Sequence, residues 1–355
     1  MARNWFAKVA AVTLTLALLA GCGGAQQAPK EEPKKEAPAA EAPKAKPFSV
    51  GMATDMGGLN DDSFNAAAYR GLQKAESDLK AKINVIESKR QEDYETNFAT
   101  LMDQQNDLIW GIGFLMEEAI KTTAEKNPKQ KFAIIDAVAQ LPNVASVLFK
   151  EEEGSFLMGV MAARTTKTGK VGFVGGMDIP VIHHFEAGFK AGVKAVNPKV
   201  EVITVYSGSF IDPAKGKSDA LAIIGKGADV VFHASGGTGQ GVIEAAQEKN
   251  VFAIGVDSDQ NKLAPNHVLS SMMKRVDVAV FDVSKMAQTG TFPGGQIITL
   301  GLKENGVGYS DTTLWNKMPE GTKAEVDKWA DAIKAGKFTV PNDMTKFKDW
   351  TAPKL

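Results

Sequence analysis

VGMATDMGGLNDDSFNAAAYRGLQK, residues 50–74, predicts a strand, a turn rich in carboxylates and amides, and then a helix. Residues 171–195, VGFVGGMDIPVIHHFEAGFKAGVKA, repeat this unit. The two stretches align at one offset of 121 residues, which pairs Phe64 with Phe185. A repeated strand–turn–helix unit indicates a chain built from two similar lobes.

The repeat continues beyond its first unit. The segment DLIW at residues 107–110 matches DVVF at 229–232, and KFAIID at 131–136 matches VFAIGVD at 251–257. Both members of the last pair end in an aspartate, Asp136 or Asp257. Because short β-rich runs alternate with helical patterns throughout, the sequence predicts an α/β protein with two doubly wound, Rossmann-like lobes and covered parallel sheets.

The predicted lobes are discontinuous in sequence. Residues 48–150 with about 275–300 form the N-terminal lobe, and residues 151–274 with about 301–355 form the C-terminal lobe. The segment after Phe292 is harder to place. We expect a closing helix at Lys323–Ile333 and an extended strap at Phe338–Leu355.

The N-terminus has the pattern of an export signal. A basic start and an apolar run lead into Leu19-Ala20-Gly21-Cys22, which is the bacterial lipobox pattern, and Cys22 is the single cysteine of the 355 residues. We therefore predict a signal peptide at residues 1–21 and lipidation of Cys22 by acyl chains, rather than a buried or reactive thiol. Residues 22–47 follow as a disordered tether rich in Pro, Lys and Glu. The predicted location is the extracytoplasmic face of the cell membrane.

Parallel sheets bind ligands at the carboxyl ends of their strands, and two facing lobes place those ends around a cleft. This rule selects cleft-lining candidates: Asp55, the turn 60–65, Asp136, the loop 206–217, the segment 235–239, Asp257 and Lys274. Some of these have simpler explanations. Asp61 or Asp62 can be a helix N-cap, Phe64 can belong to the core, and a strand-end aspartate can be a turn residue.

The sequence does not match the motifs that mark catalytic, cofactor or metal sites. The glycine-rich segment 235–241 lacks the spacing of a dinucleotide fingerprint, and residues 257–268 lack the glycine and glutamate of a calcium loop. The four histidines lack zinc-site spacing, and no nucleophile motif occurs. The formal net charge of −1 gives no support for nucleic-acid binding. We predict no enzyme activity, no cofactor and no metal.

Several segments together resemble one family. The lipobox, the tether and the motifs VGMATDMGGLNDDSFNAAAYRGL, GIGFLMEEAI, FAIID, EEGSFLMGVMAA, GKVGFVGGM, ASGGTGQGV, AIGVDSDQ and SSMMKRVDVAV occur in the order seen in the basic membrane protein family. Its members are substrate-binding lipoproteins of ABC transporters, and several are purine nucleoside receptors. The resemblance implies a type I periplasmic-binding-protein fold with a nucleoside held between the lobes.

The resemblance also implies roles for individual residues. Phe64 would stack on the base, Asn65 would hydrogen-bond it, and Phe210 of the other lobe would close the sandwich. Asp136 would hold polar edges of the base, while Asp257, Lys274 and backbone near Gly237 would hold the ribose hydroxyls. Asp55 would lie near the same pocket. The implied partners are an ABC permease and ATPase, with the protein acting as a lipid-anchored monomer.

Three alternatives remain open at the level of sequence. The same fold with strand-end aspartates suits a sugar or autoinducer-type binder. A signalling or surface-adhesion lipoprotein would use the ligand to control a partner. A nucleoside hydrolase is the enzymatic alternative.

Overall fold

The computed structural model describes residues 46–355, which fold into two α/β lobes. The predicted signal peptide, Cys22 and nearly all of the tether lie outside the described residues. The first sheet contains β1 (Ser49–Thr54), β2 (Lys82–Glu87), β3 (Leu108–Ile112), β4 (Lys131–Ile135), β5 (Val144–Phe149) and β11 (Ile297–Leu300). The second contains β6 (Lys170–Gly175), β7 (Glu201–Tyr206), β8 (Val230–Ala234), β9 (Phe252–Asp257), β10 (Val268–Lys274) and β12 (Val307–Tyr309).

The two sheets have corresponding strand orders. The first runs β11-β5-β4-β3-β1-β2 and the second β12-β10-β9-β8-β6-β7, so each strand of one lobe has an equivalent in the other. All pairings are parallel except the antiparallel pair of β10 with β12. This topology confirms the predicted α/β fold with two doubly wound lobes.

Helices cover both sheets. They are α1 (Phe64–Leu79), α2 (Tyr94–Asp103), α3 (Glu117–Lys126), α4 (Glu151–Thr165), α5 (Pro180–Val196), α6 (Pro213–Gly225), α7 (Thr238–Glu248), α8 (Val276–Gln288), α9 (Thr322–Lys334) and α10 (Met344–Asp349). The central strands are buried along their whole length, as expected for sheets covered on both faces. In residues 46–355, no helix is long and apolar enough to cross a membrane.

The chain passes between the sheets three times, at Lys150, at Arg275 and between β11 and β12. Helix α8 packs on α1 of the first lobe, whereas α9 packs on α4 of the second. We propose the lobe boundaries at these three crossings: residues 48–150 with about 275–300, and residues 151–274 with about 301–355.

The C-terminal expectations are half right. Helix α9 confirms the predicted closing helix, but the predicted extended strap contains the short helix α10. The Asp343 carboxylate caps this helix by accepting from the Lys346 N–H, at 2.7 Å. Phe338 and Trp350, on either side of it, pack against Phe156, with ring centroids 5.7 and 6.2 Å away.

Candidate functional site

A cavity lies between the lobes at the carboxyl ends of the strands. It encloses about 610 Å³ of space, part of it open to solvent. The structure brings all eight predicted ligand-binding residues to its wall: Asp55, Phe64, Asn65, Asp136, Phe210, Gly237, Asp257 and Lys274.

The turn before α1 places the first-lobe groups. Asp61 accepts hydrogen bonds from the backbone N–H groups of Ser63, Asn65 and Ala66, at 2.8–3.0 Å, so its carboxylate serves as the cap of the helix. Asp62 instead pairs with Lys262 of the other lobe. The capped turn holds Asn65 in the first helical turn, where its side chain reaches the cavity.

The Asn65 amide has one defined orientation. Its Nδ2 donates to Asp55 Oδ1 at 2.8 Å and lies 3.3 Å from Asp61 Oδ2. Since carboxylates only accept when ionised, the amide must turn its NH₂ toward them and its Oδ1 away. Among the described residues, the buried Asn65 Oδ1 has no hydrogen-bond partner, so a ligand that meets it must bring a donor.

Asp136 and Asp257 occupy equivalent positions after β4 and at the end of β9. Both have left-handed backbones, with φ of 66° and 62°, a conformation that aspartate tolerates better than most residues. Asp257 Oδ2 accepts from the Ser63 hydroxyl of the first lobe at 2.5 Å. Burial raises the pKa of Asp257 to about 6, although Lys274 and Ser63 oppose this effect.

Lys274 is fully buried at the junction of the lobes. Its Nζ lies 2.6 Å from Asp136 Oδ2 and 2.8 Å from Glu151 Oε1. Burial alone would lower the pKa of Lys274, but the neighbouring carboxylates raise it overall, so the ammonium stays charged. Burial raises the pKa of Asp136 overall, although Lys274 opposes this effect. Asp136 Oδ1 is a second buried acceptor without a partner among the described residues.

Aromatic rings surround the same ammonium. Lys274 Nζ lies 5.2 Å from the ring centroids of Phe64 and Phe149 and 5.5 Å from that of Phe185, within cation–π range. These rings come from both lobes. The charged end of the cavity therefore has an ammonium held by carboxylates and faced by aromatic surfaces.

The loop that carries Phe210 is fixed on the start of α7. The Phe210 carbonyl accepts from the Thr238 N–H at 3.2 Å, and the Thr238 hydroxyl donates to the Ser209 carbonyl at 3.0 Å. Gly176 makes room for the ring, because a Cβ there would lie 2.2 Å from Phe210. Phe210 is thereby placed on the second-lobe wall of the cavity.

Several lining residues were not predicted from the sequence. They are Phe114 of the first lobe and, in the second lobe, Phe185 and the aliphatic side chains Ile179, Val181 and Ile182, which give the second-lobe wall its apolar character. Phe185 had a sequence signal, since it aligns with Phe64 in the internal repeat.

Glu151 and His184 were also missed. Glu151 Oε2 lies 3.1 Å from His184 Nδ1, and Glu152 brings a further carboxylate within reach of the same point. Both Glu151 oxygens already contact Lys274 or His184, so we assign the cluster to the ion-pair network at the junction of the lobes.

Direct contacts close the cleft. The Ser258 hydroxyl donates to the Ser63 carbonyl at 2.9 Å, and the Gln240 amide donates to the Asn60 carbonyl at 3.1 Å. Together with the pairs Ser63–Asp257 and Asp62–Lys262, they join the turn before α1 to the second lobe. The segment that carries Phe64 and Asn65 is thus also the segment that contacts the opposite lobe.

With this geometry defined, the comparison with known proteins is decisive. Residues 48–338 match the Bmp family, described as ABC transporter substrate-binding protein, PnrA-like. This chain belongs to the Bmp family. It is 39% identical to the CD4+ T-cell-stimulating antigen of Listeria monocytogenes, over 91% of this chain and 94% of that protein. It is 40% identical to the ABC transporter nucleoside-binding protein BmpA of Lactococcus lactis, over 83% and 89%.

A solved structure agrees with this assignment. A solute-binding protein of an ABC transporter system from Aeropyrum pernix K1 superposes with a TM-score of 0.77 at 31% identity, covering 85% of this chain and 96% of that one. The chain is therefore an ABC transporter substrate-binding protein of the Bmp type. A family of binding proteins supports the prediction that it is not an enzyme.

Asp55 gives the site a pH dependence. Burial raises its pKa to about 6, although hydrogen bonds from Asn65 and Gly57 oppose this effect. The folded pKa lies above the unfolded one, so the folded protein holds the extra proton between about pH 4 and 6. The Asp55 contribution to stability therefore falls as the pH rises through that window.

We expect Asp55→Asn to stabilise the ligand-free protein on the order of 2 kcal/mol more at pH 7.5 than at pH 4.5. The amide can keep the bonds to Asn65 and Gly57 without burying a charge. Scanning calorimetry at the two pH values measures the difference, with the exposed Asp282→Asn as the matched control. Equal effects of Asp55→Asn at both pH values would contradict this account.

Proposed function

We propose that this protein is a membrane-anchored substrate-binding protein that holds a purine nucleoside between its lobes and delivers it to an ABC permease. The observation that carries the proposal is the pairing of aromatic walls with two buried acceptors. Phe64 and Phe210 come from opposite lobes and line the cavity together with Asn65 and Asp136. Among the described residues, Asn65 Oδ1 and Asp136 Oδ1 have no hydrogen-bond partner. A flat ring system bearing N–H groups complements all four.

In this proposal the base stacks between Phe64 and Phe210, and Asn65 Oδ1 accepts an N–H from it. Asp55 acts through Asn65, because it holds the amide in its orientation. Asp136 accepts from a polar edge of the base. Stacking on an aromatic ring contributes about 1–3 kcal/mol per base.

The ribose is assigned to the second-lobe end of the cavity. Asp257 accepts from a ribose hydroxyl there, while Lys274 and the backbone near Gly237 donate to ribose oxygens. Hydrogen bonds to charged groups contribute about 1.5–3 kcal/mol, so two vicinal hydroxyls on these groups favour a ribonucleoside over a free base.

The charge of the cavity favours an uncharged ligand. Among the described residues, four carboxyl groups and one ammonium line it: Asp55, Asp61, Asp136, Asp257 and Lys274. Lys274 already pairs with Asp136 and Glu151, so its positive charge is balanced. A phosphate would therefore meet an excess of negative charge. A nucleoside is therefore preferred over its nucleotide.

The proposed membrane anchoring and the delivery to a permease rest on the sequence and the family rather than on the cavity. Lipidation at Cys22 follows from the lipobox, and delivery to a permease from the membership of the Bmp family. The relative from Lactococcus lactis that is called nucleoside-binding supports the ligand class. Because the turn before α1 contacts both the cavity and the second lobe, ligand binding and lobe closure are coupled through it.

The stacking ring provides the direct test. We expect Phe64→Ala to weaken adenosine or guanosine binding by about ten-fold or more, the loss of one stacking contact. Titration calorimetry measures the dissociation constants, and Phe281→Ala on α8, outside the cavity, is the matched control. An unchanged affinity in Phe64→Ala would overturn the assignment of the base.

A further inference from the structure

A second pocket adjoins the main cavity. It encloses about 400 Å³ of space, part of it open to solvent. Four residues line both spaces, and they mark the boundary between them: Asp55, Gly57, Leu115 and Phe210. We call this second space the side pocket; Met56, Met177, Gly208, Ser209 and Ile211 complete its wall.

The side pocket differs chemically from the cavity that it joins. Its apolar lining side chains are Met56 and Leu115 of the first lobe and Met177 and Ile211 of the second. Ile211 is 51% exposed. Methionine side chains are flexible and polarizable, so they adapt to apolar groups of varied shape. Such a wall suits an apolar substituent rather than a sugar.

The boundary between the two spaces lies beside the proposed base. Phe210, which would stack on the base, and Asp55, which orients Asn65, both line it. Asp257 and Lys274, the groups assigned to the ribose, line the main cavity alone. A group that leaves the base beside Phe210 therefore enters the side pocket, whereas a group on the ribose meets the buried charges.

We propose that the side pocket accepts an apolar substituent on the base, so that the ligands include N6-alkyl and N6-aryl purine nucleosides. This inference rests on the proposed function. Substitution at N6 leaves one N–H on the exocyclic nitrogen, which still satisfies Asn65 Oδ1. The same substituent on the ribose would lie beside the buried charges of Asp257 and Lys274.

Titration calorimetry with three ligands tests the inference. We expect N6-benzyladenosine to bind within about five-fold of adenosine, and 5′-O-benzyladenosine to bind at least about 100-fold more weakly. If adenosine binds and N6-benzyladenosine does not, the inference fails and the proposed function stands. If no nucleoside binds, the proposed function itself fails. Equal binding of both benzyl compounds would contradict the placement of the side pocket.

Variants locate the substituent. Met177→Trp should fill the side pocket, weakening N6-benzyladenosine by about ten-fold or more while adenosine stays within about two-fold. Met286→Trp, at a half-exposed position on α8, is the matched control. Ile211→Glu is a second test at an exposed position. Its added charge should also weaken the binding of N6-benzyladenosine more than that of adenosine. If neither variant weakens the binding of N6-benzyladenosine more than that of adenosine, the side pocket does not hold the substituent.

Discussion

Lys274→Met is expected to lower the free energy of unfolding by about 3–5 kcal/mol, the largest effect on stability among these predictions. The substitution keeps an unbranched side chain of similar length but removes the ammonium that faces Asp136 and Glu151. Both carboxylates are buried, so water cannot replace the lost charge. Denaturant unfolding of the ligand-free protein measures the loss.

Lys74→Met is the matched control, because Lys74 pairs with Asp78 on the surface and such pairs contribute about 0–1 kcal/mol. The triple variant Lys274→Met, Asp136→Asn, Glu151→Gln should recover part of the stability, since it removes the unpaired charges as well. A loss below about 1 kcal/mol in Lys274→Met would show that the ion pairs do not hold the junction together.

Asp257→Asn is expected to weaken nucleoside binding by about 10–100-fold, the largest effect on affinity. It removes the charge that strengthens the bonds to Ser63 and, in the proposed complex, to the ribose. Asparagine suits the left-handed backbone at this position, where φ is 62°. Asp257→Ala should also weaken binding, but part of its effect would come from backbone strain.

Calorimetric titration with adenosine compares Asp257→Asn with Asp259→Asn. Asp259 lies in the connection between β9 and β10, where it accepts from the Thr312 hydroxyl, and it does not line the cavity. The control should bind as the wild type does. An Asp257→Asn dissociation constant within about three-fold of the wild-type value would remove Asp257 from the proposed ribose site.

Much of the fold was predictable because local sequence and the internal repeat agree. The offset between the two halves correctly identified equivalent strands, and it placed Asp136 and Asp257 at equivalent strand ends. The edge strands β11 and β12 were not predicted, for a physical reason. They are short, and Ile297 in β11 is half exposed, so neither shows the buried pattern of the central strands.

The candidate site was predictable where one rule applied, the binding of ligands at strand ends. Glu151 escaped it because this residue begins α4 at a crossing between the lobes, and its importance depends on Lys274, 123 positions away in sequence. Residue types such as those of Ile182 and Met177 do not indicate a binding role in a sequence. Their place on the wall follows only from how the second lobe packs against the first.

The two halves of the repeat differ in the turn that follows their first strand. The first-lobe turn brings Asp55, Asp61 and Asn65 to the cavity, whereas its second-lobe counterpart brings aliphatic side chains and Phe185. We propose that the first lobe supplies the polar recognition of the base and the second lobe supplies an apolar wall together with Asp257 for the sugar.

The most direct test of the central claim is titration calorimetry of the purified protein with adenosine, guanosine, ribose and adenosine 5′-monophosphate under one set of conditions. The account predicts saturable binding of one nucleoside per protein, with no comparable binding of ribose or of the nucleotide. Tight binding of ribose without binding of either nucleoside would contradict the account and favour a sugar-binding protein.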